Sequence, residues 1–128
     1  MIENATQHFE PRTPLEAAQI ARDAASAGRR LAFRGGGTHA APRSGAADAV
    51  ISTLAMREIV EYAAEDQTVT VEAGITLADL GRQLAVNGQR LVVEVAEPER
   101  ATVGGAIAAN AFGPRRTRYG RSKISFSA

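Results

Sequence analysis

Residues 31–43 read RLAFRGGGTHAAP. An apolar run ends in Arg34, and Gly35, Gly36, Gly37, Thr38 and His39 follow directly. Glycine loses more backbone entropy on folding than any other residue, so three in succession call for a reason. Four uses of such a run compete. The plainest is a flexible turn, since glycine clusters usually mark loops. A Rossmann-type dinucleotide fingerprint matches at Gly35, Gly37 and Ala40, but it needs a helix from the second glycine onward, and Pro42 and Gly45 oppose one. A Walker loop needs Gly-Lys-Ser/Thr, which is absent. The fourth use is a nest, in which successive N–H groups of mixed-handed backbone enclose a phosphate. Thr38 would add a hydroxyl donor there. Arg34 would add positive charge, although it also reads as a solvated strand-end residue.

A second small-residue segment, ATVGGAIAANAFG, covers residues 101–113. Thr102 reads as the cap of a short helix with Gly104 and Gly105 in its first turn. Helix N-termini attract anions through unpaired N–H groups and the helix dipole. The plainer use of a single Gly-Gly pair is tight packing. Two such segments in one small domain suit a ligand with a long phosphate-bearing body, such as a dinucleotide.

Other chemistry has less to work with. His8 and His39 are the only histidines and there is no cysteine, which removes disulfides, thiolate metal sites and cysteine nucleophiles. No serine sits in a nucleophile-elbow pattern. Glu65, Asp66, Glu97 and Glu99 fall in turn-like stretches and read as solvated. No general base stands out.

The elements that must position the glycines are legible in outline. Thr13, Pro14 and Glu16 start a helix over 14–27, with Leu15, Ala18 and Ala25, together with Ile20, Ala21 and Ala24, as its apolar face and Gly28 as its stop. RRLAF (29–33) and AVIST (49–53) read as strands, and residues 57–74 as a hairpin turning at Asp66-Gln67. Thr76 caps a second helix over 76–86, with Leu77, Leu80 and Leu84 on one face and Asn87-Gly88 as its stop. QRLVVEV (89–95) reads as a further strand. The pattern predicts an α+β fold, with small mixed sheets flanked by helices and both glycine segments facing one groove.

Length and composition suit one globular domain: 128 residues, 45% apolar and 23% charged. No segment reads as a signal peptide or membrane span, so the expected location is cytoplasmic. The net charge of +1 is uneven, being −4 over residues 1–114 and +5 over residues 115–128. The run RRTRYGRSK could be taken for a nucleic-acid contact, but no recognisable binding motif surrounds it, and no nucleic-acid partner is expected.

In their order, three segments resemble the FAD-binding domain of the FAD-linked oxidases, the vanillyl-alcohol oxidase or PCMH-type family. They are residues 11–38, residues 70–93 (TVEAGITLADLGRQLAVNGQRLVV) and residues 101–120 (ATVGGAIAANAFGPRRTRYG). The last is similar to the FAD-binding subunit of glycolate oxidase and related 2-hydroxy-acid dehydrogenases. The resemblance implies that Gly35, Gly36, Gly37, Thr38 and His39, beside Arg34, hold the FAD pyrophosphate. It implies that Pro98, Thr102, Val103, Gly104, Gly105, Asn110 and Gly113 line the cofactor from ribityl chain to isoalloxazine, with Tyr119 and Gly120 near the flavin. Some members attach FAD through a histidine whose slot here is Thr38. His39 lies one place later, so non-covalent FAD is expected.

The implied activity is hydride transfer from a 2-hydroxy acid such as glycolate to FAD, with other oxidase subunits as further partners. Residues 121–128, RSKISFSA, depart from the family pattern, and the family's substrate region lies beyond them. The expectation is therefore a C-terminally incomplete FAD-binding domain over 1–120, a divergent tail over 121–128, and no turnover by this chain alone. A Rossmann-like nucleotide-binding module and a non-enzymatic interaction domain are the alternatives.

Overall fold

Thr13 ends an extended segment, and its hydroxyl accepts the Glu16 amide at 3.2 Å, which starts α1 (Pro14–Ser26). The Glu16 carboxylate reaches back to the Arg12 amide at 2.7 Å, one residue earlier than a standard capping box. Gly28, at φ +63°, closes the helix: its amide bonds Ala25 and that of Arg29 bonds Ala24. This is the Schellman arrangement. On α1 Ala24 is buried and Ala17, Ala18, Ile20 and Ala21 are half-buried, most of them at one-face spacing. Leu15 and Ala25, expected on that face, point outward, and Leu15 is 75% exposed. Leu15 lies two residues from Ala17, about 200° around the helix.

A computed structural model describes residues 6–39 and 47–111. Within them the chain runs β1 (Gln7–Phe9), α1, β2 (Leu31–Arg34), β3 (Ala49–Ser52), β4 (Ile59–Ala63), β5 (Thr68–Val71), α2 (Leu77–Ala85) and α3 (Val103–Ala108). The predicted α+β class is the class observed, with one sheet parallel and the other antiparallel. β3 lies between β1 and β2, parallel to both, with Ala49 opposite Gln7 on one side and Leu31 on the other. Ala49 and Ile51 of this central strand are fully buried. β1 was not anticipated: at three residues it is too short to show an alternating pattern.

Asp48 and Arg30 fix the start of this sheet. The Asp48 carboxylate accepts from the Arg30 amide at 2.8 Å and from its guanidinium at 3.1 and 3.0 Å. The Arg30 carbonyl accepts from the amides of Asp48 and Ala49 in return. The guanidinium bonds first, then the Arg30 amide, hold the Asp48 pKa down at about 2.

β4 and β5 form the predicted antiparallel hairpin, irregular between Ile59 and Glu61, with Gln67 left-handed at the turn. α2 lies on it. Ile75, Leu80 and Leu84 pack against Ile59, Tyr62, Val69 and Val71. Truncating a leucine as buried as Leu80 costs about 2–5 kcal/mol. Gln89 ties the hairpin to the end of α2, accepting from the Tyr62 hydroxyl and donating to the Ala64 carbonyl at 2.6 Å. Residues 89–95 do not form the expected strand. Val93 and Val95 instead bury themselves against Leu77, Ala101 and Ala106, so their apolar side chains serve a helix pair and not a sheet.

α2 and α3 begin against each other. Thr76 caps α2 and Thr102 caps α3, each accepting an amide three residues on. The two threonines pair in an antiparallel bridge. The Leu77 amide donates to Ala101, and the Val103 amide donates to Ile75, both at 2.9 Å. The Ala78 amide reaches Pro98 and the Gly104 amide reaches Ala73. Each loop thus supplies acceptors for the first turn of the other loop's helix. Val103 joins the apolar clusters under both helices.

Two stability predictions follow from these elements. Gly81 sits inside α2 with nothing within 4 Å of where a Cβ would be. Gly81→Ala is expected to raise stability by about 0.5–1 kcal/mol in urea unfolding. Asp48→Asn is expected to lower stability at neutral pH. The Asp48 pKa is depressed on folding, so its contribution is complete above the ordinary value of 3.8 and fades as pH falls toward about 2. Unfolding curves of parent and variant should converge over that acid range.

Candidate functional site

The loop after β2 is seated on the segment that leads into α3. A Cβ on Gly35 would lie 2.3 Å from the Thr102 hydroxyl, and one on Gly36 would lie 1.8 Å from the Arg100 carbonyl oxygen. A Cβ on Gly104 would meet the Ala73 methyl carbon at 2.8 Å and the Ala73 carbonyl at 3.0 Å. Gly74, which the sequence reading did not single out, backs onto the Thr53 carbonyl in the same way, at 1.8 Å. Gly35 and Gly36 therefore lie against Thr102 and Arg100, next to the second glycine segment.

The reason for the glycines differs from expectation. At these positions the missing side chain makes room for other parts of the same protein: the Thr102 side chain at Gly35, the Arg100 backbone at Gly36, and the Ala73 methyl and backbone at Gly104. The first turn of α3 is also not an anion site. Its amides are already used: Val103 on Ile75, Gly104 on Ala73, Gly105 on the Thr102 hydroxyl and Ala106 on the Thr102 carbonyl. The tight-packing reading of Gly104-Gly105 is what the structure shows.

The glycine loop itself is different. Among the described residues, no acceptor meets the amides of Gly35, Gly36, Gly37 or Thr38. Gly37 has φ +70°, the left-handed conformation that a nest calls on. The Arg34 guanidinium folds over it, 3.2 Å from where a Gly37 Cβ would sit. The Thr38 hydroxyl and the His39 ring nitrogen Nδ1 are 3.3 Å apart. Thr38 and His39 are not helical, so no helix opens at the second glycine and the Rossmann geometry is absent from the described residues.

Below the loop, the 97–100 turn is a platform. Glu97 is left-handed at φ +55°, and its carbonyl accepts the amides of both Arg100 and Ala101. Arg100, missed in the sequence, bonds the Glu97 carboxylate at 2.6 Å and the Gly36 carbonyl at 3.3 Å. Its only sequence signal is its place two residues before Thr102. Arg82 of α2 bonds both Asp79 and Glu99, which ties the platform to α2. The Arg82 guanidinium, then the Thr76 hydroxyl, holds the Asp79 carboxyl below its ordinary pKa.

The other expected cofactor residues take varied places. Pro98 is exposed and gives its carbonyl to α2, while Thr102 is 1% exposed and spends its hydroxyl on the cap. Val103 packs in the core, and Gly105 sits in the first turn of α3. Asn110, left-handed at φ +52°, closes α3 in another Schellman arrangement, its amide on Ile107 and that of Ala111 on Ala106. Gly113, Tyr119 and Gly120 lie outside the described residues. Among the described residues no three metal-ligating side chains gather, and no helix is long and apolar enough to cross a membrane.

Gly36→Ala tests the seat directly. The added methyl would meet backbone oxygen, so the ligand-free protein is expected to lose about 1–3 kcal/mol in chemical denaturation. An unchanged denaturation midpoint would disprove the close seat.

Comparison with known proteins joins these observations. The FAD binding domain family matches residues 5–125. An uncharacterised FAD-linked oxidoreductase of Mycobacterium tuberculosis is 33% identical over 113 residues, which is 87% of this chain and 24% of the relative. A D-2-hydroxyglutarate dehydrogenase of Pseudomonas putida is 33% identical over 118 residues, 86% of this chain and 12% of that protein. The chain thus spans about a quarter or less of the length of these curated relatives. A solved structure of alkyldihydroxyacetonephosphate synthase has the same fold, with TM-score 0.78 and 20% identity over 89% of this chain and 22% of that one. With the match running through both glycine segments and the capped helix α2 between them, this chain belongs to the FAD binding domain family, and its cofactor is FAD.

Proposed function

We propose that this chain is the cofactor-holding part of a flavin-dependent oxidoreductase that acts on a 2-hydroxy acid, of which glycolate is the simplest. The observation that carries the reading is the loop Gly35–Thr38, whose amides meet no acceptor among the described residues beneath the Arg34 guanidinium. That donor set fits a diphosphate, which carries negative charge and accepts many hydrogen bonds. The name of the Pseudomonas putida relative supports the hydroxy-acid class.

In this reading the amides of Gly36, Gly37 and Thr38 donate to the diphosphate, and Arg34 balances its charge. His39 flanks the same loop. Pro98, Thr102, Val103, Gly104, Gly105 and Asn110 shape the wall along which the rest of the cofactor lies, with Gly113, Tyr119 and Gly120 continuing it. FAD is held without a covalent bond, since Thr38 occupies the slot of the linking histidine. We assign residues 1–120 to this cofactor-holding part and 121–128 to a departing tail. A cytoplasmic setting and further oxidase subunits belong to the same reading.

Bound FAD supplies a two-electron acceptor for the hydride of the substrate's α-carbon. The chain's own contribution is binding and orientation, which lower the entropic cost of a near-attack geometry. Beside the loop, no described carboxylate or lysine is placed to take the substrate's hydroxyl proton, so that role is not assigned to these residues.

The purified chain is expected to quench flavin fluorescence on titration with FAD. ADP, which shares the diphosphate, should displace FAD better than riboflavin, which lacks it. Riboflavin competing as well as ADP, or no flavin uptake at all, would overturn the assignment of the loop. The substrate class is tested in a full-length protein carrying this domain, where anaerobic reduction of FAD by glycolate, lactate or D-2-hydroxyglutarate is expected and inert flavin with all three would refute it.

A further inference from the structure

Arg100 lies outside the glycine loop and outside the helix that follows it, yet it meets the loop twice. Its carbonyl oxygen occupies the space where a Gly36 Cβ would be, and its Nη2 donates to the Gly36 carbonyl at 3.3 Å. Its Nη1 is held by the Glu97 carboxylate at 2.6 Å, and the left-handed Glu97 turns the chain so that both arms rise from one short turn. A planar fork of fixed N–H directions can hold two acceptors at once, and a lysine cannot reproduce it.

The consequence reaches the next amide. The Gly36 carbonyl and the Gly37 N–H belong to one planar trans peptide and point in opposite directions. Drawing that carbonyl toward the 97–100 turn turns the Gly37 N–H away from it. Gly37 is solvent-exposed, left-handed and roofed by Arg34. We propose that Arg100 is a positioning residue for the cofactor: it sets the 36–37 peptide so that the Gly37 N–H is presented to the FAD diphosphate. This rests on the placement of the diphosphate at the glycine loop.

The test uses Arg100→Lys and Arg100→Ala in this same chain. FAD affinity is read by flavin fluorescence, the Gly37 amide by nitrogen-15 NMR, and ligand-free stability by thermal unfolding. Arg100→Lys keeps the charge and loses the fork, so it separates positioning from simple attraction of an anion. Both variants are expected to weaken FAD by about tenfold, the scale of one hydrogen bond to a charged group. Both should shift the Gly37 amide resonance before any ligand is added. The thermal midpoint should move by no more than about 2 °C, because the Arg100–Glu97 pair is solvent-exposed.

An Arg100→Lys protein that binds FAD within about twofold of the parent would overturn the proposal, as would an unmoved Gly37 resonance. Should Arg100→Ala fail to fold, Arg100→Lys carries the comparison alone. A parent chain with no FAD affinity would instead overturn the placement of the diphosphate, and the Arg100 role with it. Parent binding with unaffected variants would remove only the Arg100 role.

Discussion

Two helix starts that complete each other hold this domain together. A helix leaves four N–H groups unpaired at its beginning, and a buried one must find acceptors for them. Here the loop 73–76 supplies acceptors for α3, and the loop 98–102 supplies them for α2. Neither helix could shift without stranding buried donors at the other. The glycine loop then rests on the second of these loops, through Thr102 and Arg100. The glycine loop is therefore positioned by hydrogen bonding between loops more than by a large apolar core.

That dependence explains which residues are small. Gly35, Gly36, Gly74 and Gly104 each sit where another segment of the chain comes too close for a side chain. A side chain at any of them would push apart the two segments that meet there. Gly37 is the exception in the run, since its neighbour is the end of a flexible arginine and its backbone is left-handed. Within one string of three glycines, two serve packing and the third serves conformation.

Local signals in the sequence were sufficient for local features. Thr13, Thr76 and Thr102 are caps, and Gly28 and Gly88 are stops, because each depends only on neighbours three to five residues away. The hairpin and the leucine face of α2 were legible for the same reason. Long-range choices were not. Whether LVVEV joins a sheet or packs beneath two helices is decided by partners elsewhere in the chain, and its alternating valines suit either. Leu15 counts as apolar in any pattern, yet it sits off the face that α1 buries. The α3 amides looked available because the sequence does not reveal that Ala73 and Ile75 would take them. Arg100 carried no motif of its own, and only the approach of Gly36 gives it meaning.

The order of strands in the parallel sheet has a consequence for how the chain comes to be folded. Its central strand, Ala49–Ser52, is the last of the three in sequence. During synthesis β1, α1 and β2 emerge without the partner that β1 and β2 both require. Until residue 52 is free, those strands have unpaired edges and α1 has no sheet to cover. Structure of this kind forms late because its contacts are distant in sequence, and exposed edges in the waiting chain invite association with other chains. The first fifty residues therefore depend for their solubility on polar side chains more than on structure, and the outer face of α1 is rich in them.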